Sequence, residues 1–421
     1  MLGEQQRQRS GKGVAMSKGF GKPTSTDYAG QRASRRRGVL DADAVQQQWL
    51  SIFGELEDPR GPKGVEHPFL SIVMIAILAT IGGAAGWEDI ETYGESHQMW
   101  LSSILELPKG VPCADTYRRL FERIKPEALE QCFLAWVKQI THLTGAQVVP
   151  IDGKSARGSY ERSTKQSALH LVSAWSSEHR LVLGQVKVES KTNEITAIPA
   201  LLELLDITGC IITIDAMGTQ HEIARQIVAK GGDYVLCLKA NHPTLWQQVM
   251  NWFEAAQATA FAGVEHSYDR KTDGAHHRIE HRQVWAVPVS AMEPLHGQAQ
   301  WAGLQSIVMV KRVRHLWNKT TQETMVYLTS LPCDAARIGG AIRTHWSIEN
   351  QLHWVLDVTF GEDASRIRSG HGPHNMALLR RLAISVLNQE TSKKKSIKQK
   401  AKRASMSPNY MLTVLAAALP N

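Results

Sequence analysis

Asp152 and Asp215 share one local pattern. Each closes a short apolar run, Val148-Val149-Pro150-Ile151 or Ile211-Ile212-Thr213-Ile214, and each is followed by a small residue, Gly153 or Ala216. Such runs read as buried strands. Carboxylates at neighbouring strand ends converge on one edge of a sheet, where divalent cations find hard oxygen ligands. A third acid, Glu349, lies in the run HWSIENQLHW, which reads as a helix. Two strand aspartates and a helix glutamate can hold two Mg2+ ions ~3.5–4 Å apart, one activating an attacking oxygen and the other stabilising the leaving oxygen of a phosphodiester. Singly, each acid reads equally well as a cap or turn former. Together they point to metal-dependent phosphoryl transfer.

Basic and polar residues surround these acids. Lys154 and Arg157 follow the first aspartate closely enough to meet a phosphate, and Lys239 ends the strand after the second. Either role, phosphate contact or solvated surface, suits them. Asn193 and Glu194 fall in an expected loop near the sheet, and His353, one turn after Glu349, either orients that carboxylate or packs. Trp285, Trp301 and Trp317 lie further on, where an exposed ring could stack on an unpaired base.

Several other chemistries fail at the level of motif. No G-x-x-x-x-G-K-[ST] occurs, so an NTP-driven motor is unsupported. There is no G-x-S-x-G elbow, and none of the 17 histidines begins an H-x-x-R. His277-x-x-x-His281 has metal-like spacing but no second ligand pair, and reads as one face of a strand. Five cysteines without a C-x-x-C pair favour neither disulfides nor a cysteine zinc site, which suits a reducing cytoplasm.

Charge divides the 421-residue chain. Residues 1–40 hold nine lysines and arginines against Glu4 and Asp27, and residues 391–421 hold seven with no acid. The whole chain carries only +8, so the body between is mildly acidic. Basic tails suit a phosphate backbone through counterion release; solvated tails with no partner are the alternative. Residues 1–40, poor in apolar residues, read as a disordered tail.

From 41 to 146 the pattern is helical, a domain suited to DNA-end binding. Phe69–Trp87 carries no charge but is interrupted by Gly82, Gly83 and Gly86, so it reads as a buried helix rather than a membrane span. Helices follow at Glu88–Tyr93, His97–Leu105, Thr116–Ile124 and Pro126–Leu143. Asp115 is the expected N-cap of the third, and Arg118, Arg119 and Arg123 lie on its outer face, where they could enter a major groove or simply be solvated. Residues 147–390 then read as a mixed α/β sheet: three strands, alternating helices and strands, and helices at Ala335–His345, Ile348–Asp357 and His374–Asn388. A strand-rich block at about 264–331, with strands at His277–Val287, Gln305–Arg314 and Met325–Thr329, interrupts it. Residues 391–421 read as a basic C-terminal tail.

Eight runs, in order from about Asp58 to Gln389, resemble the ISAs1 family of DDE insertion-sequence transposases, the H-repeat-associated proteins. They are DPRGPKGVEHP (Asp58–Pro68), GWEDIETYG (Gly86–Gly94), IDGKSARGS (Ile151–Ser159), KTNEITAIPALLELLDITG (Lys191–Gly209), TIDAMGTQ (Thr213–Gln220), DYVLCLKANH (Asp233–His242), THWSIENQLHWVLDVTFGEDASRIRSG (Thr344–Gly370) and NMALLRRLAI (Asn375–Ile384). The resemblance implies an RNase H-like catalytic domain with a β-rich insertion between the second and third acids. Asp152, Asp215 and Glu349 would be its D, D and E, holding two Mg2+, for which Mn2+ can substitute. Water would cut at an element end, and the freed 3′-hydroxyl would attack target DNA in line, with no ATP and no covalent protein–DNA intermediate. The partners implied are inverted-repeat DNA, target DNA and at least one further copy of the chain, in a bacterial cytoplasm at the nucleoid, with no membrane.

One departure from the wider DDE group concerns the run Tyr-x-x-Arg-x-x-x-Glu-x-x-x-x-x-x-Lys. Ile342, His345, Glu349 and Leu356 stand at its positions, leaving Arg343 or His345 to replace the arginine and nothing to replace the lysine. Asp357, Glu362 and Asp363 are secondary candidates for the third ligand. Two rival readings remain: a decayed or repurposed copy that binds DNA without cutting it, and a plain divalent-metal nuclease.

Overall fold

The computed structural model describes residues 41–420 except 63–64, 142–146, 161–166, 190–192 and 276–277. The N-terminal segment 1–40, expected to be a basic disordered tail, lies outside the described residues, as does His277 of the His277/His281 pair. Residues Leu40–Asn421 form one compact unit.

Six helices come first: α1 (Ala42–Ile52), α2 (Phe69–Ile81), α3 (Trp87–Ser96), α4 (Gln98–Ile104), α5 (Ala114–Phe121) and α6 (Pro126–Ile140). The uncharged run forms α2, in which every residue from Ser71 to Ile81 is buried. At 1.5 Å per residue its 13 residues span ~20 Å, short of a bilayer core. Among the described residues no helix is long and apolar enough to cross a membrane. Helix α5 starts earlier than expected. Its N-cap is Cys113, and Asp115 sits inside the first turn, where its carboxylate meets Arg118 (2.9 Å) and Arg119 (3.7 Å) one turn on.

The sheet follows. Its elements in chain order are β1 (Val148–Ala156), β2 (Leu169–Ser176), β3 (Leu181–Lys187), α7 (Glu194–Leu204), β4 (Ile211–Ile214), α8 (His221–Ala229), β5 (Asp233–Leu238), α9 (Pro243–Ala258), β6 (Ser267–Ala275), β7 (Arg278–Pro288), β8 (Ser306–Leu316) and β9 (Lys319–Thr329). The nine strands lie in the order β3-β2-β1-β4-β5-β9-β8-β7-β6. β1, β2 and β3 pair antiparallel, while β4 and β5 continue parallel to β1 through helical crossovers. This is the RNase H-like arrangement. The strand-rich insertion makes no sheet of its own: β9 pairs with β5, so the insertion extends the catalytic sheet. Strand β6 was illegible because SYDRKTDGA has almost no apolar residue; as the outermost strand it is specified by its register on β7.

Strand β1 also outruns its apolar half. Antiparallel pairing with β2 continues from Ile151↔Ala174 to Ala156↔Leu169, so Asp152 lies mid-strand and not at the strand end. Asp215 does follow the last residue of β4.

The chain closes with α10 (Ala335–Ile348), a π-helical turn (Glu349–His353), α11 (Trp354–Val358), α12 (Gly372–Gln389), α13 (Ile397–Met406) and α14 (Pro408–Ala417). Residues 391–421 are therefore not a solvated tail. Trp49 Nε1 of α1 donates to Leu415 O (3.1 Å), and Trp136 Nε1 of α6 donates to Ala418 O (2.8 Å). Lys400, only 6% exposed, reaches Leu387 O, and Tyr410 OH bonds Glu390. Asn375 of α12 donates to Phe121 O and Ile124 O, tying the C-terminal half to α5. The first and last helices thus share one core.

Truncating the fully buried Met411 tests this. Met411→Ala should cost about 2–5 kcal/mol in urea unfolding; a solvated tail would give a change near zero.

Candidate active site

Asp152 follows Ile151, and Ile151 is the register partner of Ile214 on β4, so Asp152 and Asp215 sit one residue past the same paired position on adjacent parallel strands. Asp215 is held by its own turn: Oδ1 accepts from Met217 N (3.0 Å) and Gly218 N (3.4 Å). That turn needs glycine at 218, where a Cβ would fall 2.3 Å from Ile214 and 2.7 Å from Ile198.

Glu349 opens the π-helical turn between α10 and α11. The wider turn is a rare local geometry, found often at functional sites. It places His353 under the acids: Nδ1 lies 3.0 Å from Glu349 Oε2 and 3.6 Å from Asp152 Oδ2, with the ring only 4% exposed. One turn earlier, His345 Nδ1 meets Thr213 Oγ1 at 3.0 Å, fastening α10 to β4 two residues before Asp215. Asp152, Asp215 and Glu349 line one cavity of about 310 Å3, with His345, Trp346 and Lys239 on its walls.

Burial raises the Asp152 carboxyl to about 6; repulsion from Asp215 and Glu194 adds to it, and His353 and the Gly153 N–H oppose it. The His353 hydrogen bond holds Glu349 below the usual carboxylate range, and burial holds His345 below the usual histidine range. Two neighbouring aspartates crowded in a half-buried cavity are a charge arrangement that a cation relieves. Asp152, Glu349 and His353 each offer a ligand atom within 4.8 Å of the others. The donors are mainly carboxylate oxygens, which suits a hard divalent ion.

The remaining sequence candidates separate cleanly. Lys154 is not a free phosphate contact: its ammonium lies 2.8 Å from Asp357 and 3.4 Å from Asp363, and its side chain is 9% exposed. That pairing occupies two of the secondary third-ligand candidates, and Glu362 is fully buried against Arg381 (2.7 Å). Arg157 is largely exposed, 3.5 Å from Asp363. Arg118 and Arg119 lie on α5, outside the cavity's lining. Arg343 faces the insertion, 3.0 Å from Asp273, so of the two possible arginine replacements only His345 enters the cavity.

Asn193 and Glu194 are not in a loop. They are the N-cap and first residue of α7, and Glu194 bonds His170 (2.8 Å), which bonds Ser155 (2.7 Å). Trp301 is buried and Trp285 packs on Phe261 and Tyr268, whereas Trp317 is 90% exposed on the β8–β9 turn. His353 was legible only as an i+4 neighbour of Glu349; its reach to Asp152 is a tertiary fact.

The family described as Transposase DDE domain matches residues 143–386, and a DDE_Tnp_1-associated family matches residues 50–137. The chain belongs to the DDE transposase family. YbfL of Escherichia coli strain K12 is 36% identical over 367 residues, spanning 86% of this chain and 96% of that one. The H repeat-associated protein YhhI of the same strain has the same identity and coverage, in agreement with the ISAs1 resemblance. Among solved structures, the piggyBac transposase synaptic complex with hairpin DNA overlays on 88% of this chain and 78% of its own, at TM-score 0.39 and 11% identity. At that score the overlay decides nothing. Membership of the DDE family makes the chain a transposase of the polynucleotidyl transferase type, with use of a divalent metal.

The transposase holds Asp152 at a cost in stability. With a carboxyl pKa raised from 3.8 to about 6 in the fold, the native state binds the proton more tightly than the unfolded chain. Stability contributed by that proton is present below the unfolded pKa and lost as pH rises through 6. Asp152→Asn should therefore stabilise the metal-free protein by about 1–3 kcal/mol at pH 7.5, with the difference shrinking as pH falls and disappearing below the unfolded pKa of 3.8 in urea unfolding.

Proposed function

We propose that this transposase cleaves the terminal inverted repeats of its own insertion sequence and transfers the freed 3′ ends to target DNA. The observation that supports this reading best is the convergence of Asp152, Asp215 and Glu349 on one cavity. In this reading the three carboxylates are the ligands of two Mg2+ ions, replaceable by Mn2+. The ions, when bound, supply activation of the attacking oxygen and stabilisation of the leaving oxygen. His353 keeps Asp152 and Glu349 at ligand spacing, and His345 anchors the helix that carries Glu349. Lys239, on the cavity wall, is the proposed contact to a phosphate of the scissile strand. Arg157, which opens the 3-10 turn after β1, Arg118 and Arg119 on α5, and Arg343 on α10 are the proposed contacts to flanking DNA. Water attacks the phosphodiester at the element end, and the 3′-hydroxyl so released attacks target DNA. Joining two ends requires at least two copies of the chain.

The test uses the DNA flanking this gene as labelled duplex, with purified protein and Mg2+ or Mn2+. Cuts at fixed terminal positions, abolished by EDTA and reduced at least ~10³-fold in Glu349→Gln, are expected for loss of a metal ligand. DNA that is retarded but never cut would overturn the enzyme reading, and scattered cutting would favour a plain nuclease.

A further inference from the structure

Arg380 is 2% exposed on α12, and among the described residues no carboxylate lies within ion-pair distance of it. Its Nη2 donates to Ala85 O (2.8 Å), and its Nε has no partner. Burial outweighs the attraction of Glu362, whose carboxylate is paired with Arg381, and holds the Arg380 guanidinium below its usual pKa, a cost that a further anion would relieve. Ala85 forms part of the wall of a cavity of about 590 Å3, separate from the acid cavity. Three arginines, Arg118, Arg366 and Arg368, line that cavity, and Arg380 stands behind its wall at Ala85. Two carboxylates share the wall, Glu88 and Glu122, and Glu122 is already taken by Arg118 at 3.3 Å.

The cavity is built from three distant pieces of chain. One is the start of α3, one is α5, and one is the loop 361–369, whose neighbour Gly370 (φ +55°) lies so close to α5 that a Cβ would stand 2.7 Å from Glu122 O. The same loop backs directly onto the end of β1. A Cβ on Gly158 would lie 2.3 Å from Ser365 O, Arg368 Nε donates to Gly158 O (3.2 Å), and the Arg157 amide donates to Asp363 (3.3 Å). Strand β1 carries Asp152 only five residues before Arg157. Arg157, 3.5 Å from Asp363, and Arg368, on the cavity wall, therefore stand at the junction between the end of the acid-bearing strand and the cavity.

We infer that this arginine-lined cavity between α3, α5 and the 361–369 loop binds the phosphate backbone of DNA running from the acid cavity. The inference rests on the proposed function, since it takes DNA as the substrate. Its contacts are to phosphates and carry no sequence information. Arg366, exposed and lining the cavity, makes the outermost contact; Arg380 supplies fixed positive charge behind the wall.

The test measures affinity of the full-length chain for two labelled duplexes of equal length, the element flank and a scrambled sequence, by anisotropy in EDTA across a KCl series. Arg366→Ala and Arg366→Glu alter an exposed side chain and leave the core intact. Arg366→Ala should flatten the plot of log affinity against log salt by about 0.9, equally on both duplexes, as expected for one lost phosphate contact. Arg366→Glu should weaken binding at least ~10-fold at 100 mM KCl. Arg225→Glu on α8, which does not border the cavity, should leave the slope unchanged. Wild-type slope and affinity in both Arg366 variants would overturn the inference and leave the proposed function standing. Loss confined to the element flank would also overturn it, since that marks a base contact. A wild-type chain that binds neither duplex would overturn the proposed function as well.

Discussion

The burial of carboxylates beside one another is the constraint around which this molecule is built. Asp152 and Asp215 must stand side by side, half-buried, with Glu349 across from them, and nothing about three negative charges favours that arrangement. The backbone enforces it. Parallel pairing of β1 with β4 fixes the two aspartates one residue past the Ile151–Ile214 pair. The third acid is brought in by a helix pinned twice, by His345 to Thr213 and by His353 to both Glu349 and Asp152. Burial raises the Asp152 pKa to about 6, the cost of holding a charged carboxylate at that place in the fold.

The rest of the fold serves rigidity at that place. Lys154, two residues past Asp152, is locked between Asp357 and Asp363, which ties the acid-bearing strand to the segment after the π-helical turn. Arg381 and Glu362 tie the same segment to α12. Helix α12, buried along most of its length, is clasped in turn by the first helices and by α13 and α14. Charge in this part of the chain is internal structure more than surface. The insertion follows the same economy, since β9 adds directly to β5 and lengthens the sheet that bears the acids.

Much of this was legible in the sequence because local chemistry and fold agree. Apolar runs ending at Asp152 and Asp215, and a helical run around Glu349, put the acids on the right kinds of element, and the strand-rich interruption located the insertion. What escaped is set by partners remote in sequence. β1 runs on past Asp152 because β2 pairs with it, and β6 is a strand because β7 is its neighbour. Lys154 read as a phosphate contact or a solvated lysine, and not as an internal ion pair, because Asp357 and Asp363 lie some two hundred residues away. The lysine-rich C-terminal stretch looked like a tail because its charges hide the apolar face of α13 and α14, on which Ala401, Ala404, Met411 and Val414 are buried.

The claim on which everything else depends is that Asp152, Asp215 and Glu349 share one metal site. Replacing the divalent ion with Fe2+ and generating hydroxyl radicals at it cuts the polypeptide beside each ligand. Mapping the fragments of the full-length chain should give three groups of cuts, around residues 152, 215 and 349, all suppressed by excess Mg2+. Cuts near only one of the three, or centred on Asp357 and Asp363 with none at Glu349, would contradict the account.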